Sequence, residues 1–523
     1  MNLDACPSIH DTPQRPALIN SLQSQNMSIN QEKNDSQLVA GFDGDGGTHM
    51  SVGQYFASRF STLKPPMDKV INPIAAMRML NKEQWTFFMC AWCSWVIDAF
   101  DFFTVSLTVT PLAKEFGKLN SDITWGITLV LMFRSVGAII FGAWSDRDGR
   151  KWPFIFNNIL FIVLELGTGF CNTYGEFLAC RALFGVAMGG LYGNAVATAL
   201  EDCPDAARGV MSGLFQAGYP VGYLLTTAFA RALVGTTVHA WRPLFWFSAC
   251  PPVLVIVWRY YLPETQAFRE REIVRQNATA ATSGFLHQAG QAFKHHWLTL
   301  TYMVLLMAGF NFMAHGAQDF YPTMLLNQFE FTLDQMTITQ VIANFGAISG
   351  AICVGYLSEI FGRRLTIMVS CVCAGALIYP YTYVNTTAVA ACAFFLQFFV
   401  QGAFGVIPSH LMELSPGPIR TFVVGTAYQL GNLASSPAAT IQSTIGERFF
   451  PLEPTAAGLK RYNYAIVICA FLGACTGLVF LVTFLGPEKK GKQFGFSEEV
   501  DEHGISAKDP ENAFGGSEHK ESA

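Results

Sequence analysis

From Trp85 onward the chain alternates between apolar runs of about twenty residues and short polar breaks. A helix of that length rises far enough to cross a hydrocarbon core about 30 Å thick. Twelve runs are predicted as membrane-crossing helices, at 85–112, 123–145, 152–172, 177–200, 209–232, 243–262, 298–326, 335–357, 364–384, 388–412, 421–443 and 463–485. A polar link, 263–297, divides them into two sets of six, giving an amino-terminal half at 83–262 and a carboxy-terminal half at 298–488. Residues 1–82 lack a basic stretch leading into an apolar core, so they do not read as a secretory signal. Their Asn, Gln, Ser, Asp and Gly content predicts a disordered, solvent-facing tail, and 498–523, within a carboxy-terminal tail at 489–523, reads the same way.

Composition agrees with an all-α membrane protein: 51% of the 523 residues are hydrophobic and 14% are charged, against about 25% charged in a soluble domain. Basic residues gather at Arg147, Arg150 and Lys151, in the central link at Arg269, Arg271 and Arg275, at Arg363 and Arg364, and at Lys489, Lys490 and Lys492. The opposite loops carry fewer, so the positive-inside rule places both termini in the cytoplasm. A net charge of −5 gives no reason to expect a nucleic-acid partner. The 13 cysteines are scattered through apolar runs, and Cys90-Ala-Trp-Cys93 has no second pair, so no metal and no cofactor is implied. No nucleophile–base pairing or phosphate loop appears, which argues against an enzyme. Asn385-Thr-Thr387 is a glycosylation sequon on a short outer loop, whereas Asn277-Ala-Thr279 falls in the cytoplasmic link. Lys64, Lys69, Lys508 and Lys520 are candidate ubiquitin acceptors, with an ordinary solvated lysine as the alternative.

The two halves repeat each other. Gly142-Ala-Trp-Ser-Asp146-Arg147-Asp-Gly149-Arg150-Lys151 follows the second run, and Gly355-Tyr-Leu-Ser-Glu359-Ile-Phe-Gly362-Arg363-Arg364 follows the eighth. Glu201, Pro204 and Arg208 after the fourth correspond to Glu413, Pro416 and Arg420 after the tenth, and Gln216 and Gly218 to Gln429 and Gly431. A carboxylate at a helix end beside arginines forms charge-assisted pairs that hold one arrangement and must break for another, which suits a gate. The loop motif resembles the Gly-x-x-x-Asp-Arg-x-Gly-Arg-Lys signature of the major facilitator superfamily, over about residues 85–490. That resemblance implies twelve helices in two pseudo-symmetric halves around a cavity that opens to each side in turn.

Ionisable groups at bilayer depth are costly, about 2.5–3.5 kcal/mol each on insertion scales, and therefore need a partner or a cavity. Asp98 and Asp101 share a face of the first run, and Arg134 sits in the middle of the second. Arg134 either neutralises one of these acids or offers an anionic substrate a guanidinium fork. Glu165 has no evident partner, and Arg181, at the start of the fourth run, is expected to snorkel or to serve the site. His410 is expected beside Glu413 and Arg420 at the gate. Gln216 and Gln429 either line a cavity or pack between helices.

The richest stretch is Asn311-Phe-Met-Ala314-His315-Gly-Ala317-Gln318-Asp319-Phe-Tyr-Pro-Thr323. Asn311, His315, Asp319 and Thr323 recur every four residues, so a continuous helix aligns them in one polar stripe with Gln318 alongside. His315 and Asp319, one turn apart, are suited to sharing a proton. The stretch resembles the signature of fungal lactate and pyruvate permeases in the sialate:proton symporter group, Asn-x-x-Ser/Thr-His-x-Ser/Thr-Gln-Asp-x-x-x-Thr. By that resemblance the chain imports a short monocarboxylate with protons across a plasma membrane. Arg134, Asn311, His315, Gln318 and Thr323 would bind the substrate, and Asp319, His315, Asp101 and Asp98 would carry the proton. Ala314 and Ala317 stand where the signature has hydroxyls, which shifts the expectation from lactate toward carboxylates more broadly. A carrier of a larger organic anion, such as a sugar acid or dicarboxylate, and a sensor that binds without transporting stay open as alternatives.

Overall fold

The computed structural model describes residues 52–63, 72–118, 120–265, 268–269, 285–415, 420–453 and 461–490. Most of the expected tails, Pro416, the Asn277 sequon, Lys492 and the candidate ubiquitin acceptors lie outside these residues. The chain divides into two units, Met1–Ser61 and Thr62–Ala523. In the first, Val52–Ser61 is helical where a disordered tail was expected. In the second, Pro73–Arg78 forms another helix inside that expected tail, started by Asn72, whose side chain accepts from the Ile74 amide at 2.9 Å, and by a proline in its first turn.

Among the described residues, ten helices are long and apolar enough to cross a membrane. They are the first, Lys82–Phe116; second, Asp122–Asp148; third, Lys151–Gly169; fourth, Tyr174–Leu200; sixth, Arg242–Tyr261; seventh, His296–Asn327; eighth, Leu333–Phe361; ninth, Arg363–Tyr383; tenth, Val389–Leu414; and twelfth, Tyr464–Leu485. The fifth and eleventh are each two shorter helices, Arg208–Gln216 with Gly218–Leu233 and Arg420–Ser435 with Ala438–Phe449. Gly218 and Pro220 follow the first break and Pro437 occupies the second, so the same backbone chemistry interrupts corresponding spans. The seventh span extends further back than expected, because helix runs from Phe285 through a bend at His296 (φ −108°, ψ 16°), inside the predicted polar link. Capping boxes start the first, fourth and eighth spans at Asn81 with Gln84, Thr173 with Glu176 and Thr332 with Gln335.

Small residues set the packing. A methyl group at Gly137 would meet the Val186 carbonyl oxygen at 1.9 Å, and one at Gly189 would meet that of Arg134 at 1.9 Å, so the second and fourth spans touch along their backbones. The eighth and tenth do the same, with Gly346 and Gly350 against the carbonyls of Phe394 and Phe398 at 2.1 and 2.0 Å. Two further contacts join the halves. Gly213 of the fifth span lies on Gly355 of the eighth, and Gly193 of the fourth on Gly425 of the eleventh. The second glycine of each loop motif has a left-handed backbone, φ +99° at Gly149 and +87° at Gly362, where a side chain is strained.

Candidate functional site

The seventh span breaks where its polar stripe is densest. Its long helix ends at Gln318, the turn passes through Phe320, and a short helix, Tyr321–Asn327, restarts with Pro322 in its first turn. The break divides the expected stripe. Asn311, His315 and Gln318 face a small central cavity. Asp319 is buried directly behind His315. Thr323 is carried on the next helix, half-buried and away from the cavity lining, because the stripe was drawn on a helix that does not continue.

Other spans complete the lining: Gln216 and Tyr219 from the fifth, Gln401 and Phe404 from the tenth, and Tyr428 from the eleventh. His315 Nδ1 lies 2.9 Å from Asp319 Oδ2, and Nε2 lies 3.1 Å from Asn432 Oδ1. Asn432 in turn donates from Nδ2 to Gln429 Oε1 at 2.6 Å. The Asn311 amide is engaged by the Tyr428 carbonyl at 3.1 Å, and Gln318 donates to Gln397 at 3.0 Å. The two alanines part company. Ala314 lines the cavity, whereas Ala317 is buried away from it, and its carbonyl accepts from Tyr381 at 2.5 Å and from Gln397 at 3.4 Å.

Arg134 does not line this cavity. Its guanidinium is 3.5 Å from Asp98, 3.0 Å from the Met188 sulfur and 5.1 Å from the Phe102 ring centroid, and both charged partners are 1% exposed. Of the two acids considered for it, Asp98 is the partner. Arg134 remains in electrostatic reach of the cavity tyrosines Tyr219 and Tyr428. Asp101 is placed elsewhere, in a fully buried cluster within electrostatic reach of Glu165, Asp98 and Arg181. Arg181 pairs with Glu165, donates to Thr168 at 2.8 Å and lies over the Phe184 ring at 4.4 Å. It is wholly buried rather than snorkelling, and Glu165 has the partner that local sequence did not show.

At the end of the bundle carrying the repeated basic loops, Arg150 pairs with Asp146 at 3.1 Å and Glu201 at 3.5 Å. Arg363 pairs with Glu359 at 2.7 Å and Glu413 at 2.8 Å. Arg147 stands apart, 73% exposed against Asp148. The acids also reach across the halves. Asp146 accepts from the Phe422 amide at 2.8 Å, at the first turn of the eleventh span, where the helix dipole favours a carboxylate. Glu359 lies over Gly209 at the start of the fifth. Arg208 and Arg420 are both buried beside these starts. His410 is also buried, in electrostatic reach of Arg363 and Arg364.

Two carboxylates at this end escaped the sequence reading. Glu264 accepts from the Lys151 amide at 3.1 Å and pairs with Arg259 at 3.4 Å, and Glu488 accepts from the Arg364 amide at 2.9 Å. They are equivalent, each acid holding a first-turn amide of the third or ninth span, at matching positions of the two loop motifs. The signal was a Pro-Glu pair just after the sixth and twelfth runs, Pro263-Glu264 and Pro487-Glu488. Burial raises the Glu488 carboxyl above its ordinary value, against the pull of the Arg364 amide.

The halves also meet at the far end. Thr124 and Thr128 lie 3.4 and 3.3 Å from the Thr440 hydroxyl, Gln340 donates to Tyr223 at 3.2 Å, and Arg231 pairs with Asp334 at 3.0 Å. Polar contacts therefore join the two halves at both ends of the bundle.

Twelve spans in two repeated halves around such a cavity define a carrier of the major facilitator type. The family model described as "Sugar (and other) transporter" matches residues 71–500, and the chain belongs to that family, as a membrane transporter and not an enzyme. Within it, the chain is 36% identical over 501 residues to the carboxylic acid transporter protein homolog of Saccharomyces cerevisiae, covering 92% of this chain and 80% of that protein. It is 26% identical over 430 residues to the probable 4-methylmuconolactone transporter of Cupriavidus pinatubonensis, covering 82% and 95%. Among solved structures, the proton:xylose symporter XylE of E. coli superposes with a TM-score of 0.61 at 18% identity, over 79% of this chain and 97% of that one.

Proposed function

We propose that this protein is a proton-coupled importer of short carboxylates in the plasma membrane, with both termini cytoplasmic. The observation that carries the reading is the His315–Asp319 pair, a hydrogen-bonded dyad at the wall of the central cavity. The yeast relative named as a carboxylic acid transporter homolog supports the substrate class. From the outside, Asp319 and His315 take up a proton while the substrate carboxylate is held by neutral donors of the cavity and by the field of Arg134, which Asp98 partly offsets. Opening inward requires the Asp146 and Glu359 contacts at the starts of the eleventh and fifth spans to break, and opening outward requires the Thr440 and Asp334 contacts to break.

The test is reconstitution into proteoliposomes, with radiolabelled lactate, pyruvate and acetate presented under an inward proton gradient. Accumulation collapsed by a protonophore is the expected result. Saturable binding without flux would instead identify a sensor, and flux indifferent to the gradient would remove the coupling. Arg134→Ala is expected to weaken substrate affinity, and unchanged affinity would remove the anion role. A second reading, a larger unsaturated or cyclic organic acid, is favoured by the muconolactone relative and by a muconate transport protein of Acinetobacter baylyi that is 25% identical over 364 residues.

The alanines give a finer test. One added hydroxyl in the cavity contributes about 0.5–1.5 kcal/mol to a substrate that hydrogen-bonds to it. Ala314→Ser is therefore expected to improve the KM for a 2-hydroxy acid by about two- to tenfold, leaving acetate little changed. Ala317→Ser, placed behind the helix, is expected to leave the lactate-to-acetate preference where it is.

A further inference from the structure

His315, Asp319, Asn432 and Gln429 form a chain of side chains whose hydrogen-bonding directions are mutually dependent. Asn432 Nδ2 donates to Gln429 Oε1 at 2.6 Å, so its Oδ1 faces His315 Nε2 at 3.1 Å and requires that nitrogen to carry a hydrogen. The second imidazole nitrogen, Nδ1, then meets Asp319 Oδ2 at 2.9 Å. That contact needs one more proton, on Nδ1 as imidazolium or on Oδ2 as carboxylic acid. The arrangement therefore corresponds to the dyad with its coupling proton on board.

Take that proton away, and the single remaining imidazole hydrogen cannot serve both contacts. If it stays on Nε2, a bare Nδ1 faces a carboxylate. If it moves to Nδ1, a bare Nε2 faces the Asn432 oxygen. The second conflict is relieved when the Asn432 amide turns over and donates to Nε2, which presents its oxygen to Gln429. Gln429 must then turn too and donate from Nε2. That Nε2 is the buried donor for which no acceptor is present in the proton-loaded arrangement. Each state of the proton thus has an amide arrangement that fits it.

We propose that Asn432 and Gln429 are a proton-sensing relay: the two amides turn together as the His315–Asp319 dyad gains or loses its proton, reporting its state to the eleventh span. They act as positioning residues. The inference rests on the proposed proton coupling and adds to it a means by which the proton reaches a helix of the gate, since the same span receives the Asp146 contact at Phe422.

Other groups around the dyad are accounted for. Tyr219 and Tyr223 of the fifth span are within electrostatic reach of Asp319. Phe102 of the first span packs edge-on against the His315 ring at 5.7 Å and carries Arg134 of the second on its other contact, with Asp98 paired to that arginine. Tyr428 shares the eleventh span, and the tenth offers the neutral Gln401 to the same cavity. The tyrosines are neutral across the working range, and the Arg134–Asp98 pair contributes a field that the substitutions below leave unchanged.

The test is the pH at half-maximal transport, read at saturating substrate in proteoliposomes. Asn432→Leu removes an acceptor that favours the protonated imidazole more than the neutral one, so the midpoint is expected to fall by about one pH unit. Asn432→Asp sets a second carboxylate against the same imidazole, holds the proton more tightly, and is expected to raise the midpoint. Gln429→Leu, which leaves the contact to His315 but removes its anchor, is expected to move it in the Leu direction and serves if Asn432→Leu does not reach the membrane. Opposite shifts for the Leu and Asp variants support the relay. Lowered rates with an unmoved midpoint in all three overturn it, leaving a packing role. If the unaltered protein shows no pH-dependent flux, the coupling reading itself has failed, which is a different result.

Discussion

Asp319→Asn is expected to remove accumulation altogether while leaving exchange. In a gradient-driven assay the unaltered protein should concentrate substrate inside vesicles, whereas the variant should stop at an inside-to-outside ratio of about one. The reason lies in the dyad. Asparagine keeps the size of the side chain and a hydrogen bond to His315 Nδ1, so the helix end and the cavity persist. It cannot exchange a proton, and a carrier whose coupling group is fixed in one state has no differential interaction for the gradient to act on. Counterflow of labelled against unlabelled substrate should persist within a few-fold. Undiminished accumulation by the variant would place the proton elsewhere, with the buried Asp101–Glu165 cluster next in line.

The second large effect concerns stability. Arg181→Met is expected to destabilise the protein by about 3–5 kcal/mol, because it leaves Glu165 and Asp101 buried without their cation. Thermal unfolding in detergent should show a correspondingly lower midpoint. Adding Glu165→Leu should restore much of the loss, since an apolar pair of similar volume often matches a buried ion pair. If the double variant is as unstable as the single one, Arg181 has a further partner in that cluster, and Asp101 is the group to remove next.

Spans, repeat and loop motif were legible because each is local: twenty apolar residues, a ten-residue loop signature, a glutamate seven residues before an arginine. The fifth and eleventh spans were located from hydropathy although each is broken, since Gly218 and Pro437 interrupt the helix without interrupting the apolar run. What was lost depended on geometry between elements. The stripe was extended to Thr323 because a four-residue repeat carries no sign of the break at Phe320, and Pro322 was the available warning. Arg181 meets Glu165 only because the third and fourth spans are neighbours, and Arg134 chooses Asp98 over Asp101 through the rotation of the first helix, which composition does not set. Ala314 and Ala317 looked alike as departures from a signature, and only the cavity, which Ala314 lines and Ala317 does not, separates them. Gln401 and Tyr219 bore no mark in sequence, being uncharged residues on apolar helices.

The glycine contacts between the halves carry a consequence for how such a carrier can change its cargo. Where Gly213 meets Gly355 and Gly193 meets Gly425, backbone lies on backbone; a methyl at Gly213 would run into the Ala351 carbonyl at 2.4 Å and one at Gly193 into that of Thr421 at 2.7 Å. These are bearings with no side chain between their surfaces. Their clearance is fixed by the radius of the main chain, so a single alanine at Gly213 or Gly193 would be a wedge between the halves. The contact glycines are not among the lining residues, so the cavity can be re-lined for a different acid while these contacts keep their spacing.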